Sequence, residues 1–128
     1  FILSPQMKTY TVKIDNDGNK LWYYNNQLHR EDGPAFEGDN GNKYWYINGE
    51  RHREDGPAIE YAGGDKEWWI NGKRHREDGP AIEWANGYKE WYINDKRVTE
   101  KDVLNLSQTI EIEGVKYTVA QIKAAFKK

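Results

Sequence analysis

PAIEYAGGDKEWWINGKRHREDG, residues 57–79, is one copy of a unit that recurs along the chain with a period of 23 residues. Its closing segment, with the two residues that come after it, reads HREDGPA and stands identically at 29–35, 52–58 and 75–81. Gly18, Gly41, Gly64 and Gly87 keep the same spacing, as do Lys20, Lys43, Lys66 and Lys89. Trp22, Trp45, Trp68 and Trp91 keep it too, and so do Asn25, Asn48, Asn71 and Asn94. Agreement at this many positions is not coincidence. A repeat of this length is one supersecondary unit that buries its apolar face by stacking on its neighbours. Four units fill 7–98; the first lacks the HREDGPA lead-in and the last decays into DKRVTEKD.

Each unit reads as two short strands, 58–61 and 66–70 in the quoted copy. Between them lie Asp17-Gly18, Asn40-Gly41, Gly63-Gly64 or Asn86-Gly87, pairs that accept the positive φ of a two-residue hairpin turn. Asn48-Gly49 and Asn71-Gly72 then end the second strand. Pro34, Pro57 and Pro80 sit at strand starts, where a missing N–H is tolerated, and Asp-Gly before Pro is turn chemistry. In a two-residue register Ile59 faces Trp68 and Tyr61 faces Lys66. That apolar side, with Phe36, Trp45, Ile70, Ile82, Trp84 and Trp91, is the expected core, and the four repeated tryptophans form its internal column. Tyr61 with Lys66 and Trp84 with Lys89 are expected cation–π pairs. The same register sets Glu60 against Glu67, an unfavourable pairing that points to a bulge shifting it.

Residues 99–128 leave the period and read as a helix–hairpin–helix cap. Thr99 is an N-cap with Asp102 three residues on, and Val98 and Val103 are placed as a hydrophobic staple for a helix near 100–106. A hairpin over 110–119 comes next, then a final helix carrying Ile122, Ala125 and Phe126. Such a tail covers the last sheet edge, which would otherwise invite aggregation. FILSPQ, residues 1–6, precedes the single methionine, Met7, and reads as a vector or tag remnant, without the charged start of a signal peptide. The fold class is therefore mainly β: tandem β-hairpin repeats in one sheet or solenoid, advancing about 9.5 Å per unit at two strands each, with a small C-terminal α/β cap.

The 128 residues suit one domain, 37% hydrophobic with a mean hydropathy of -1.07 but dense in aromatics: six Trp, nine Tyr and three Phe. Net charge is -2 with Lys and Arg dispersed, which offers neither nucleic acid nor an anionic membrane surface an attraction. There is no Cys, and no apolar run approaches the ~20 residues of a membrane helix. A cytoplasmic protein without cofactor is expected.

HREDGPA holds groups capable of chemistry. His29, His52 and His75 cannot share one metal ion, since ligands of one zinc lie within about 4 Å of each other and the units are about 9.5 Å apart. His29 with Asp32, His52 with Asp55, or His75 with Asp78 are candidate acid–base dyads, but no nucleophile or phosphate-loop motif accompanies them. A repeated turn must occur once per unit, so these six residues are read as structural. Arg30, Arg53 and Arg76 are expected to pair with carboxylates of neighbouring units. Binding is assigned instead to the row Tyr23, Tyr46, Trp69 and Tyr92, flanked by Glu60 and Glu67, because aromatics in a mixed polar setting suit recognition; the competing reading is that loops cover them. The glutamates repel phosphates and disfavour nucleic acid.

The pattern W-x-[IY]-N-G-K-x-H-R-E-D-G-P-A followed by a Gly turn resembles the MORN repeat over roughly residues 10–98, departing where Arg-Glu-Asp-Gly-Pro stands for Gly-x-Gly. It is also similar to small HREDGPA-array proteins encoded by bacteriophages. The resemblance implies a scaffold for proteins; the phosphoinositide binding of some MORN arrays is disfavoured by the acidic turn. The chain is accordingly expected to be a non-catalytic binder, a phage-encoded inhibitor of a bacterial host defence protein acting in the host cytoplasm. The alternatives are a sponge for a small nucleotide signal and a hydrolase using a His/Asp turn. The uncovered edge near 10–15 is a candidate for homodimer pairing.

Overall fold

The computed structural model describes residues 8–125; the expected remnant at 1–6 and Phe126 lie outside them. The protein is mainly β, and its main antiparallel sheet takes two strands from each 23-residue unit. The strand path is Thr11–Ile14, Lys20–Tyr24, Phe36–Glu37, Lys43–Tyr44, Ile59–Glu60, Lys66–Glu67, Ile82–Glu83, Lys89–Ile93 and Lys96–Val98, with Gln27–Leu28 paired on Lys20–Tyr24.

The glycine turns hold three residues, not two. The N–H of Tyr61 donates to the carbonyl of Asp65 at 3.0 Å and that of Gly64 to Tyr61 at 2.9 Å. Equivalent bonds close 15–19, 38–42 and 84–88. Only the second residue of each pair enters the left-handed region, Gly64 at φ +104. One extra loop residue shifts the expected register by one: Ile59 faces Glu67 and Glu60 faces Lys66. The opposed glutamates are thereby removed. Lys20, Glu37, Lys43, Glu60, Lys66, Glu83 and Lys89 line up instead as one row of alternating charge. Opposite charges in such cross-strand pairs are worth roughly 0.2–1 kcal/mol each. The expected pairings of Ile59 with Trp68 and of Tyr61 with Lys66 are corrected accordingly, and Glu83, not Trp84, stands opposite Lys89.

In the middle units the second strand breaks at its tryptophan. Lys43–Tyr44 stays in the main sheet, whereas Tyr46–Ile47 pairs with Glu50–Arg51 through Asn48-Gly49, both at positive φ. This is the turn whose twist matches flanking strands. Trp69–Ile70 and Lys73–Arg74 repeat the arrangement. At the corner, the Trp45 N–H bonds the Ala58 carbonyl (2.8 Å) and the Trp45 carbonyl accepts from His52 N–H (3.1 Å). Successive ribbons join through backbone bonds from Arg30, Arg53 and Arg76 to Tyr46, Trp69 and Tyr92.

The core is small. Ala35, Ala58 and Ala81 are fully buried, with Ile59, Ile82, Tyr92 and Val103. The repeated tryptophans are half-buried and not a closed internal column. At the C-terminus, α1 (Glu100–Ser107) starts on a capping box in which Thr99 and Asp102 bond reciprocally, at 3.1 and 3.0 Å. A hairpin of Thr109–Ile112 and Val115–Thr118 and then α2 (Val119–Ala125) complete the tail.

Turn length is testable by paired substitution. Gly64→Ala forces an L residue to φ +104 with its Cβ 3.2 Å from Ala85 Cβ and is expected to cost about 1–2 kcal/mol. Gly63 has nothing within 4 Å of an added Cβ and no positive φ, so Gly63→Ala is expected to be neutral or stabilising by up to about 1 kcal/mol. Thermal unfolding of both variants measures this; equal losses would restore the two-residue turn.

Candidate functional site

HREDGPA resolves residue by residue into one repeated joint. Arg53 lies over the Trp45 ring, its Cζ 4.0 Å from the centroid, as Arg30 lies over Trp22 (4.0 Å) and Arg76 over Trp68 (3.9 Å). Its Nε donates to Asp55 Oδ1 at 3.0 Å, and its Nη1 donates to the Pro57 carbonyl at 3.0 Å and to Glu60 Oε1 at 3.3 Å. Both other copies make the same three bonds. Gly56 makes room beneath: an added Cβ there would lie 3.0 Å from the Arg53 Cζ. Pro57 opens the next strand, and Ala58 fills a site with no exposure.

The histidines are staples. Nδ1 of His29, His52 and His75 accepts the backbone N–H of Asn48, Asn71 and Asn94, at 2.9, 3.0 and 3.0 Å, tying each unit to the turn of the next. Nε2 faces Glu31, Glu54 and Glu77 at 3.5, 3.5 and 3.2 Å. No His–Asp dyad forms, because Asp32, Asp55 and Asp78 are held by the arginines. Among the described residues no three His, Asp or Glu gather as a metal site.

Of the row assigned to binding, Tyr23, Tyr46 and Trp69 are half-buried and Tyr92 is buried. Cations lie over it: Lys13 over Tyr23 (5.2 Å), Arg51 over Trp69 (4.9 Å) and Arg74 over Tyr92 (4.2 Å). The flanking glutamates are engaged too. Glu60 accepts from Arg53, while Glu67 accepts from Tyr61 Oη at 3.1 Å and Trp69 Nε1 at 3.1 Å. Burial and the adjacent Glu67 carboxylate push the Tyr61 hydroxyl up to about 12. The strand Thr11–Ile14 is an exposed edge, as expected.

Beside Tyr23 a pocket of ≈ 250 Å³ lies against Thr9, Thr11, Lys13, Asn25 and Asn26; larger open space lies between successive corners. One groove of ≈ 760 Å³ runs from the Arg30–Pro34 corner to the 52–55 corner, with Trp45 and Ile47 in its wall; the next, of ≈ 750 Å³, runs from 53–56 to 75–78 past Trp68 and Ile70. Arg53, Glu54 and Asp55 line both, so the two grooves adjoin across that corner as one interrupted trough. A third, at the next corner, has Trp91 in the same place but is narrowed to ≈ 280 Å³ by Glu100, Val103 and Leu104 of α1. Sequence reasoning missed this trough, although Ile47, Ile70 and Ile93 carry the 23-residue spacing.

The geometry defines a mainly β protein of tandem antiparallel hairpins whose repeated turn is a joint and whose free surface is a trough. No family model matches the chain, and no characterised protein or solved structure is significantly similar to it. No helix among the described residues is long and apolar enough to cross a membrane.

Two outcomes test this joint. Arg53→Ala removes the stack and three bonds to a cation, and is expected to cost about 2–3 kcal/mol, with Arg53→Lys restoring little because Lys lacks the planar fork. His52→Ala removes the acceptor of the Asn71 N–H at an exposed turn where water takes its place, and is expected to cost about 0.5–1.5 kcal/mol; both are read by chemical denaturation. A pH effect arises from Arg74, whose Nε donates to Asp95 at 2.7 Å and holds that carboxyl below its usual range. A depressed carboxylate stabilises the fold above its unfolded value, and the contribution is lost as pH falls through the folded one. The midpoint of thermal unfolding is therefore expected to drop below about pH 4, less steeply in Asp95→Asn.

Proposed function

We propose that the chain is a non-catalytic MORN-like repeat module that binds a protein partner. The observation that carries this reading is the trough: two adjoining grooves at 23-residue spacing, each with a Trp and an Ile in its wall between charged corners, neither filled by the chain itself. The groups best suited to catalysis support it too, since each histidine Nδ1 accepts a backbone N–H and each turn aspartate holds an arginine. The likeness of the HREDGPA array to phage-encoded proteins favours a bacterial host protein, a defence component, as the partner and the host cytoplasm as the place of action.

Affinity capture from bacterial lysate on the immobilised chain, with mass spectrometry of the eluate, tests the reading. The expected outcome is one or a few proteins enriched about tenfold or more over an unrelated acidic bait and displaced by free chain. No enrichment, or hydrolysis of a generic ester or phosphate substrate that disappears in His52→Ala, would sink it.

A further inference from the structure

We propose that the trough between the corners docks a cationic amphipathic helix of a partner protein. The inference rests on the protein-binding reading and names the surface and the chemistry of the occupant. Its first support is inside the molecule. At the fourth corner, where the repeat decays, Val98-Thr99-Glu100 stands in register with His75-Arg76-Glu77. There α1 takes the place of a further turn, and its Val103, 2% exposed, closes the groove beside Trp91. The chain thus shows what fits against this wall: a helix presenting a branched aliphatic to the tryptophan. In the other two grooves Arg53 and Arg76 cover one face of Trp45 and Trp68, yet Trp45 with Ile47 and Trp68 with Ile70 still line open space, which no helix of the chain fills.

The second support is charge. Arg30, Arg53 and Arg76 are turned onto their tryptophans, with side chains only 21–22% exposed, whereas the carboxylates of the same corners face outward, Glu54 at 84% and Glu77 at 69%. The rim is therefore negative although arginine and carboxylate alternate in sequence. α1 is tethered and needs no steering, but a separate ligand gains orientation and association rate from opposite charge. Two sheet strands per unit set a spacing of about 9.5 Å along the trough. A helix rising 1.5 Å per residue covers that in roughly six to seven residues. The occupant thus carries aliphatic side chains about two turns apart, one per groove, with Lys or Arg flanking them.

The test uses fluorescence anisotropy with the whole chain and a labelled, lysine-rich peptide of about three heptads, leucine about every seventh position on an alanine background. Its affinity is expected to exceed that of a scrambled peptide of identical composition by about tenfold or more. Glu54→Lys/Glu77→Lys, which alters exposed side chains that face the histidine Nε2 atoms, is expected to weaken binding about tenfold with far-UV dichroism unchanged and melting lowered only slightly. Ile70→Thr, which keeps the β-branched shape and makes the wall more polar, is expected to weaken binding severalfold with far-UV dichroism unchanged. No binding, equal binding of the scrambled or of a glutamate-for-lysine peptide, or full affinity in both variants overturns the proposal. So does dimerisation of the chain that Glu54→Lys/Glu77→Lys abolishes, which would give the trough to a second copy. If the peptide fails while a lysate protein is still captured equally by wild type and Glu54→Lys/Glu77→Lys, the partner binds another surface: this inference falls and the protein-binding reading stands.

Discussion

A guanidinium seated on an indole, above a glycine, holds the array together. Arg30, Arg53 and Arg76 each end one unit, and each bonds a glutamate in the first strand of the next, Glu37, Glu60 or Glu83. Stacking fixes the height of the cation above the sheet; the aspartate and the proline carbonyl fix its rotation. The relation between neighbouring units is thus set by one side chain with directional bonds at both ends. Around this joint the strands are free to vary, and they do: Phe36, Ile59 and Ile82 occupy one position, and Tyr44, Glu67 and Glu90 another. A chain with few fully buried side chains can remain ordered in this way, because each unit repeats the same short-range polar and aromatic contacts on its neighbour.

The joint also decides what the surface offers. Hiding a cation over an aromatic ring while leaving its neighbouring carboxylates in water makes the corner outwardly acidic, a property that counting charges along HREDGPA does not reveal. It uses up the chemistry as well. A histidine whose Nδ1 accepts a backbone N–H serves the next turn, and an aspartate locked to an arginine is not available to orient that histidine. What lies open beside the corners is space with one Trp and one Ile in its wall and charged side chains at its rims.

Much of this was legible because it is local. Asn48-Gly49 and Asn71-Gly72 declare their turns through residues that tolerate positive φ, and Thr99 with Asp102 declares the start of α1. The length of the glycine turn was not legible from composition, since Asn-Gly, Asp-Gly and Gly-Gly suit both a two-residue loop with two left-handed residues and a three-residue loop with one. The clue was the clash of Glu60 with Glu67, which the longer loop removes by turning Glu60 toward Lys66. Nor does KEWWI announce that its strand bends at Trp68, because that bend depends on the Ala81 carbonyl and the His75 N–H, both distant in sequence. The cover on Trp69 and Tyr92 comes from Arg51 and Arg74, which with Arg97 keep the 23-residue spacing, but spacing does not tell which ring a cation reaches. Aromaticity is what marks the binding row in the sequence, and aromaticity alone does not reveal which cation lies on the ring.

The two ends of the stack show how such an array stops. At the C-terminal end Thr99 stands where the next arginine would, so Trp91 has no guanidinium from that position, and the same threonine caps α1. One substitution therefore both withdraws the joint and starts the helix that replaces it, with Val103 taking over the burial. At the N-terminal end Lys8 bonds Glu31, and Tyr10 and Tyr24 pack around His29, which is 4% exposed. The outer strand Thr11–Ile14 stays exposed, with Lys13 near its middle. A charged side chain on an edge strand discourages pairing with another edge. The two ends thus differ: a helix narrows the groove at one, and an exposed strand carrying a charge lies at the other.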